Sequence, residues 1–334
     1  MEEVSWPFYA SALVTGLAFG YVTQRGGFCL TRALSNLYIM GDATIVRAYL
    51  LALVVATIGT HLLLGGGLVD LPPSAIRPLH WAANIVGGFL FGVGMILSGG
   101  CSGSTWYRIG EGAVGAWVVL LGFAMGATTM TVGILAPVRQ SLRSFTVPID
   151  GGAPTLATVI GVSPWIVIAV LGIAVAFFLW RGEGEPEHGK WPWPATGMAV
   201  GVLIALGWWT SSFGAPPTGI TFASNTGQAL TYPLVGYPNR VNWSMVLLVG
   251  VPVGAFLAAW PAGEFRWKLP PGWSLVQLFG GGLLMGASAI LAEGCNITQG
   301  LTNAATLSLG SLVAFGAMWL GAYATVWLLY LRKG

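Results

Sequence analysis

Charged side chains make up only 7% of this 334-residue chain, where an ordinary soluble chain carries about 25%. The net charge of +3 offers no basic surface to nucleic acid, and none is expected as a partner. Cysteine is as scarce, at three residues, and an odd number excludes a complete disulfide framework. No CxxC occurs, and His61, His80 and His188 lie near no cysteine in sequence, so neither a metal site nor a cofactor is expected. A path for a soft metal ion through three thiols stays open. Neither a phosphate-loop lysine motif nor a GxSxG appears, so the chain does not read as an ATP-driven pump on its own.

Apolar residues supply 55% of the chain, which makes it an all-α membrane protein with the lipid bilayer as its solvent. A helical span needs about 20 apolar residues. Nine segments qualify, roughly 6–23, 44–68, 81–98, 113–136, 163–181, 194–213, 242–261, 274–291 and 306–330. Trp81, Trp165, Trp191, Trp193, Trp243, Trp260 and Trp273 sit near segment ends, where an aromatic belt belongs. The longest polar stretch, Arg181 to Lys190, is too short for a soluble domain. The start, Met1-Glu2-Glu3, is acidic and does not read as a signal peptide. Ten Lys and Arg residues fall on one side of the spans: Arg25, Arg32, Arg47, Arg108, Arg181, Lys190, Arg266, Lys268, Arg332 and Lys333. Four fall on the other: Arg77, Arg139, Arg143 and Arg240. The asymmetry predicts an N-terminus outside and a C-terminus in the cytoplasm.

Two stretches of the chain are copies of each other. Gly87-Gly88-Phe89-Leu90-Phe91-Gly92-Val93-Gly94-Met95-Ile96-Leu97-Ser98-Gly99-Gly100-Cys101 aligns without a gap to Gly281 through Cys295, with 8 of 15 positions identical. Each copy is a Gly-spaced apolar helix that breaks into a small polar turn carrying a thiol. Paired broken segments in the two halves of a membrane protein point to a substrate site. Four spans, one odd span and four more invert the second half, so a direct sequence repeat becomes an inverted one. The expected layout is one transmembrane domain over 1–334, with pseudo-repeats at about 1–136 and 191–334 and a linker span at about 137–190.

The turns supply the candidate pathway residues. Gly100, Cys101, Ser102 and Gly103 offer a thiol and backbone N–H groups that can wrap an anion. Glu293, Gly294, Cys295, Asn296 and Gln299 repeat the pattern with more side-chain amides. A small cysteine filling space between helices is the plain alternative for either thiol. Cys29, in Gly26-Gly27-Phe28-Cys29, has only a weak counterpart in 226–231, where Ala229 stands opposite it. The adjacent Arg25 and Arg32 either draw anions or face headgroups. Arg108 either lines the pathway or pairs with Glu111 at a helix end. His61 reads as a packed histidine.

With Gly26-Gly27-Phe28-Cys29, Gly99-Gly100-Cys101-Ser102-Gly103 and Glu293-Gly294-Cys295-Asn296 in view, the sequence resembles the YeeE/YedE sulfur-transport family over nearly its whole length. The resemblance implies a bacterial inner-membrane transporter, not an enzyme, that takes up thiosulfate. It implies a nine-span hourglass with short re-entrant loop helices, and Cys29, Cys101 and Cys295 as the functional residues. It also implies a small cytoplasmic sulfur-carrier partner of the TusA type. Because the chain stops at Gly334, just after its last span, that carrier is expected as a separate protein. Selenium compounds or another sulfur species are alternative cargoes. A membrane sulfur-transfer protein that forms a persulfide is an alternative activity.

Overall fold

The computed structural model describes residues 6–71, 76, 78–147, 154–180, 189–213, 216–235 and 241–332. Arg77, Arg181, His188, Arg240 and Lys333 lie outside the described residues, as does most of the polar linker. Among the described residues fourteen α-helices are present: α1 Trp6–Arg25, α2 Leu30–Met40, α3 Thr44–Gly65, α4 Trp81–Leu97, α5 Ser102–Gly110, α6 Val114–Thr131, α7 Ala136–Arg143, α8 Leu156–Ile160, α9 Pro164–Trp180, α10 Trp193–Ser211, α11 Ala223–Val235, α12 Trp243–Ala259, α13 Gly272–Leu291 and α14 Leu309–Val326. No strand occurs among the described residues.

Each of the nine apolar segments coincides with a helix. Five are long and apolar enough to cross a membrane: α3, α4 (continued by α5), α6, α13 and α14 (with its last turn). α9 and α12 are apolar but shorter, at 17 residues each. α1 and α10 have 20 and 19 residues, but their buried faces are rich in Gly and Thr. Glycine, threonine and serine on those faces serve the bundle interior and dilute the apolar signal.

Long helices pack in matched pairs: α4 on α14 as α6 on α13, and α1 on α12 as α3 on α10. α4 and α13 also pack on each other, as do α1 and α10. The match reaches single residues at the offset that aligns Gly87 with Gly281. A Cβ on Gly87 would lie 2.5 Å from the Ala292 amide nitrogen, and one on Gly281 would lie 2.6 Å from that of Ser98. Ser98 and Ala292 are themselves aligned positions. Gly88 and Gly92 likewise press on the α14 backbone, as Gly282 and Gly286 press on α6. Small residues let transmembrane helix backbones approach this closely.

Substitution there has a clear expected outcome. A Cβ at Gly286 would land on the Phe123 carbonyl, whereas one at Gly280 meets nothing within 4 Å. Gly286→Ala should destabilise by about 1–3 kcal/mol or more, because backbone must move. Thermal melting of detergent-purified protein should show a clear drop for Gly286→Ala and none for Gly280→Ala.

Candidate functional site

All three cysteines stand at the same kind of helix break. Each long helix closes on a residue in the left-handed conformation, one residue follows, and then the cysteine. The left-handed residues are Gly27 (φ 58°), Gly99 (φ 63°) and Glu293 (φ 64°). The residue between them folds its amide back onto the helix: Phe28 N–H to Thr23 O at 2.9 Å, Gly100 N–H to Met95 O at 3.2 Å, Gly294 N–H to Ala289 O at 2.8 Å. Cys29 then caps α2 and Cys101 caps α5. Glycine takes the left-handed slot at no steric cost, whereas a side chain there costs about 1–2 kcal/mol. Glu293 keeps the slot because its carboxylate is held: Oε1 lies 3.2 Å from His80 Nδ1 and 3.6 Å from Arg143 Nη1.

The thiols are buried, at 6% exposure for Cys29, 1% for Cys101 and 0% for Cys295, and they belong to the hydrophobic core cluster. The polar turns of the sequence are thus enclosed by apolar side chains. The Cys29 thiol lies beside the Cys101 thiol and within electrostatic reach of it and of Ser104. Cys101 Sγ accepts from the Ser104 amide at 3.5 Å. Cys295 Sγ lies 3.4 Å from Thr298 Oγ1, the same step of three residues. The two turns are tied by Ser102 Oγ–H, which donates to Asn296 Oδ1 at 3.0 Å. Gly103 packs on Ile297, whose side chain would sit 3.1 Å from a Cβ there. Tyr49 donates to the Asn296 carbonyl at 2.6 Å and stacks between Phe28 and Phe315.

A large cavity lies on each side of this tie. One, of about 790 Å³, is lined by Cys29, Arg32, Tyr107, Arg108, Lys190 and Lys268 among others. The other, of about 710 Å³, is lined by Gly294, Thr298, Glu293, Arg143, Arg139 and Thr221 among others. Neither Cys101 nor Cys295 lines either cavity. The basic residues are sorted the same way: Arg32, Arg108, Lys190, Arg266 and Lys268 line the first cavity, Arg139 and Arg143 the second.

Some expected pathway residues serve the turns themselves. Arg108 Nη1 donates to the Gly99 carbonyl at 3.0 Å and so braces the turn before Cys101. Glu111 accepts from Gln24 at 3.3 Å, with Arg108 near enough to act on it only through its charge. Gln299 donates to the Ala292 carbonyl and accepts from Ser311 at 2.6 Å and Asn303 at 3.2 Å, against a space of about 10 Å³, roughly one water. Arg25 lies 3.7 Å from Glu264, which also pairs with Lys190 at 2.7 Å and accepts from Gln24. Burial opposes the Glu264 charge, but hydrogen bonds from Lys190 and Gln24 and the charges of Lys190 and Arg25 more than offset it, so its carboxyl sits below the usual range. His61 donates Nδ1–H to the Thr57 carbonyl, 3.0 Å away, and meets the Trp165 ring.

The counterpart of Cys29 lies elsewhere than the sequence alignment places it. Gly227 and Ala229 are inside α11 and form no break. The left-handed residue ahead of that helix is Gly219 (φ 61°), which puts Thr221 two residues on, in the place of the thiol. Thr221 lines the second cavity as Cys29 lines the first. His80, Arg143, Tyr49 and Thr221 carried no motif; only tertiary contacts bring them to the turns.

The family described as sulphur transport matches residues 25–324, and the chain belongs to it. The thiosulfate transporter TsuA of Escherichia coli (strain K12) is 28% identical over 96% of this chain and 95% of its own length. The thiosulfate transporter TsuA of Spirochaeta thermophila is 32% identical over 96% of this chain and 99% of its own length. A probable transporter, YedE of Salmonella typhimurium, is 32% identical over 37% of this chain and 30% of its own length. The relatives are transporters, which places this chain among multi-pass membrane transport proteins and not among enzymes.

Proposed function

We propose that this chain imports thiosulfate across the bacterial inner membrane, handing the ion along Cys29, Cys101 and Cys295 between the two cavities. The observation that carries the reading is the order of contacts. Cys29 walls one cavity and lies within electrostatic reach of Cys101. Cys101 begins the turn tied to the Cys295 turn by Ser102 and Asn296. Cys295 meets Thr298, which walls the other cavity. The close likeness to two proteins named thiosulfate transporters supplies the cargo.

Thiosulfate is a dianion with a soft terminal sulfur. Stripping water from two charges is costly unless donors replace it. Thiols, hydroxyls and helix-start amides donate without fixing a cation in the path. Several weak contacts let an ion both enter and leave, where one strong site would hold it.

The matched helix pairs and glycine contacts support an inverted-repeat hourglass of nine crossings, with repeats at about 1–136 and 191–334 joined by a linker span at about 137–190. The cavity rich in Lys and Arg is then cytoplasmic, with the N-terminus outside and the C-terminus inside. A C-terminal reporter active only in the periplasm would overturn that orientation. The cytoplasmic cavity is where a TusA-like carrier would collect the product. The deciding experiment for the function is uptake of radiolabelled thiosulfate by cells that lack other sulfur importers. Uptake above the empty-vector control, competed by thiosulfate but not by Cu(I), is expected; no uptake, or competition by Cu(I), would end the reading.

A further inference from the structure

Between the second and third thiols lies a side chain with one end fixed and the other unsatisfied. Asn296 is fully buried. Its Oδ1 accepts the Ser102 hydroxyl at 3.0 Å, and its Nδ2 has no hydrogen-bond partner among the described residues. A buried amide N–H₂ left without an acceptor is costly, and native proteins rarely keep one without a use.

More unsatisfied donors stand beside it. Ser102 and Gly103 open α5, a nine-residue helix, and their backbone N–H groups have no acceptor among the described residues. The neighbouring amide of Ser104 is taken by the Cys101 thiol. The start of α5 therefore presents its positive end and two amides within one side chain's reach of Asn296. Asn296 follows Cys295 as Ser102 follows Cys101, so the bonded pair occupies the same position in both copies of the repeat. The two side chains differ, and the difference adds the spare donor.

We infer that this is an oxyanion site at the constriction: Asn296 Nδ2 and the Ser102 and Gly103 amides take the oxygens of the passing ion while the flanking thiols contact its soft end. Ser102 is a positioning residue, because its hydroxyl holds Oδ1 and turns the N–H₂ away from itself. The inference rests on the thiosulfate reading and names how that ion is recognised. The cargo class is an anion with oxygens on one end and a soft atom on the other. A soft cation would gain nothing from these donors.

The test is thiosulfate uptake in proteoliposomes buffered to the same pH on both faces, with wild type, Asn296→Asp, Asn296→Ala and Asn296→Ser. Asparagine to aspartate keeps the shape and the Oδ1 acceptor but exchanges the N–H₂ for an oxygen. Protonated, that carboxyl donates as the amide does; ionised, it repels the cargo. The ratio of Asn296→Asp to wild-type uptake should therefore fall as pH rises between about 5.5 and about 8.5, since burial raises a carboxyl into this range. Asn296→Ala should lose about tenfold or more at every pH, the loss of one hydrogen bond to a charged group. Asn296→Ser, which keeps a smaller donor, should retain more than Asn296→Ala and guards against a folding defect in the aspartate variant. A pH-independent Asn296→Asp ratio, or alanine and serine variants at wild-type rates, would overturn the inference while leaving thiosulfate import standing. Wild-type vesicles that take up no thiosulfate would remove both.

Discussion

Replacing Cys101 or Cys295 by alanine should cut thiosulfate uptake severely, with the protein still inserted and folded. Each change deletes one sulfur from a buried position. The fold cost is comparable to deleting a single methyl-sized group from a core, about 0.5–1.5 kcal/mol. That loss is tolerable for a bundle whose long helices meet along six matched contacts (α4 with α14, α6 with α13, α1 with α12, α3 with α10, α4 with α13 and α1 with α10). Transport has no such reserve. Cys101 and Cys295 line neither cavity and sit where the two turns are tied, so on the proposed route an ion would have no parallel path around a missing contact. Cys29→Ala should be milder, because Cys29 faces an open cavity whose wall also holds Arg32 and Arg108. Labelled uptake, set against melting temperature for the same preparations, separates the two effects. Variants that melt lower yet transport at wild-type rates would show that the thiols only fill space.

Much of this arrangement was legible before any coordinates. Nine apolar runs each became a helix, because length and hydropathy suffice where lipid is the solvent. The gapless likeness of 87–101 to 281–295 marked two of the three breaks, and its glycines turned out to be the backbone contacts of α4 and α13. What stayed hidden depends on distance in space. Glu293, a candidate pathway residue, lines the second cavity and also holds a left-handed position that its partner copy gives to Gly99, fixed by His80 and Arg143 from distant segments. Gln299, a candidate pathway residue, has its amide bonded to Ala292, Asn303 and Ser311, partners that the sequence does not announce. Thr221 was missed because the weak alignment followed Gly227, whereas the break that matches Gly27 is Gly219. A left-handed glycine leaves no signature in a sequence with 50 glycines.

Thiosulfate labelled separately on its two sulfurs should deliver both labels to the cytoplasm in equal amount. The competing chemistry is definite. A cysteine thiolate attacks the outer sulfur, the S–S bond breaks with its electron pair leaving on sulfite, and the outer sulfur stays on the protein as a persulfide. The contact between Cys29 and Cys101 provides a second thiol to which that sulfur could pass, so a lone nucleophile is no obstacle. Two other features weigh against it. The attacking group must be a thiolate, and a thiolate at this constriction adds a negative charge to an enclosed place that a dianion must also occupy. Sulfite would also be left on the far side, with only half of the cargo's sulfur gained. Transient S–H contacts of about 1 kcal/mol each avoid both costs and release as easily as they form. Serine at position 101 then tells the same story from the protein's side. It keeps a donor and loses the nucleophile, so Cys101→Ser should retain part of the uptake if hydrogen bonding carries the ion and none if a persulfide does. Arrival of the outer label alone, with the inner label recovered outside as sulfite and a persulfide mass on the purified protein, would replace the relay with sulfur transfer.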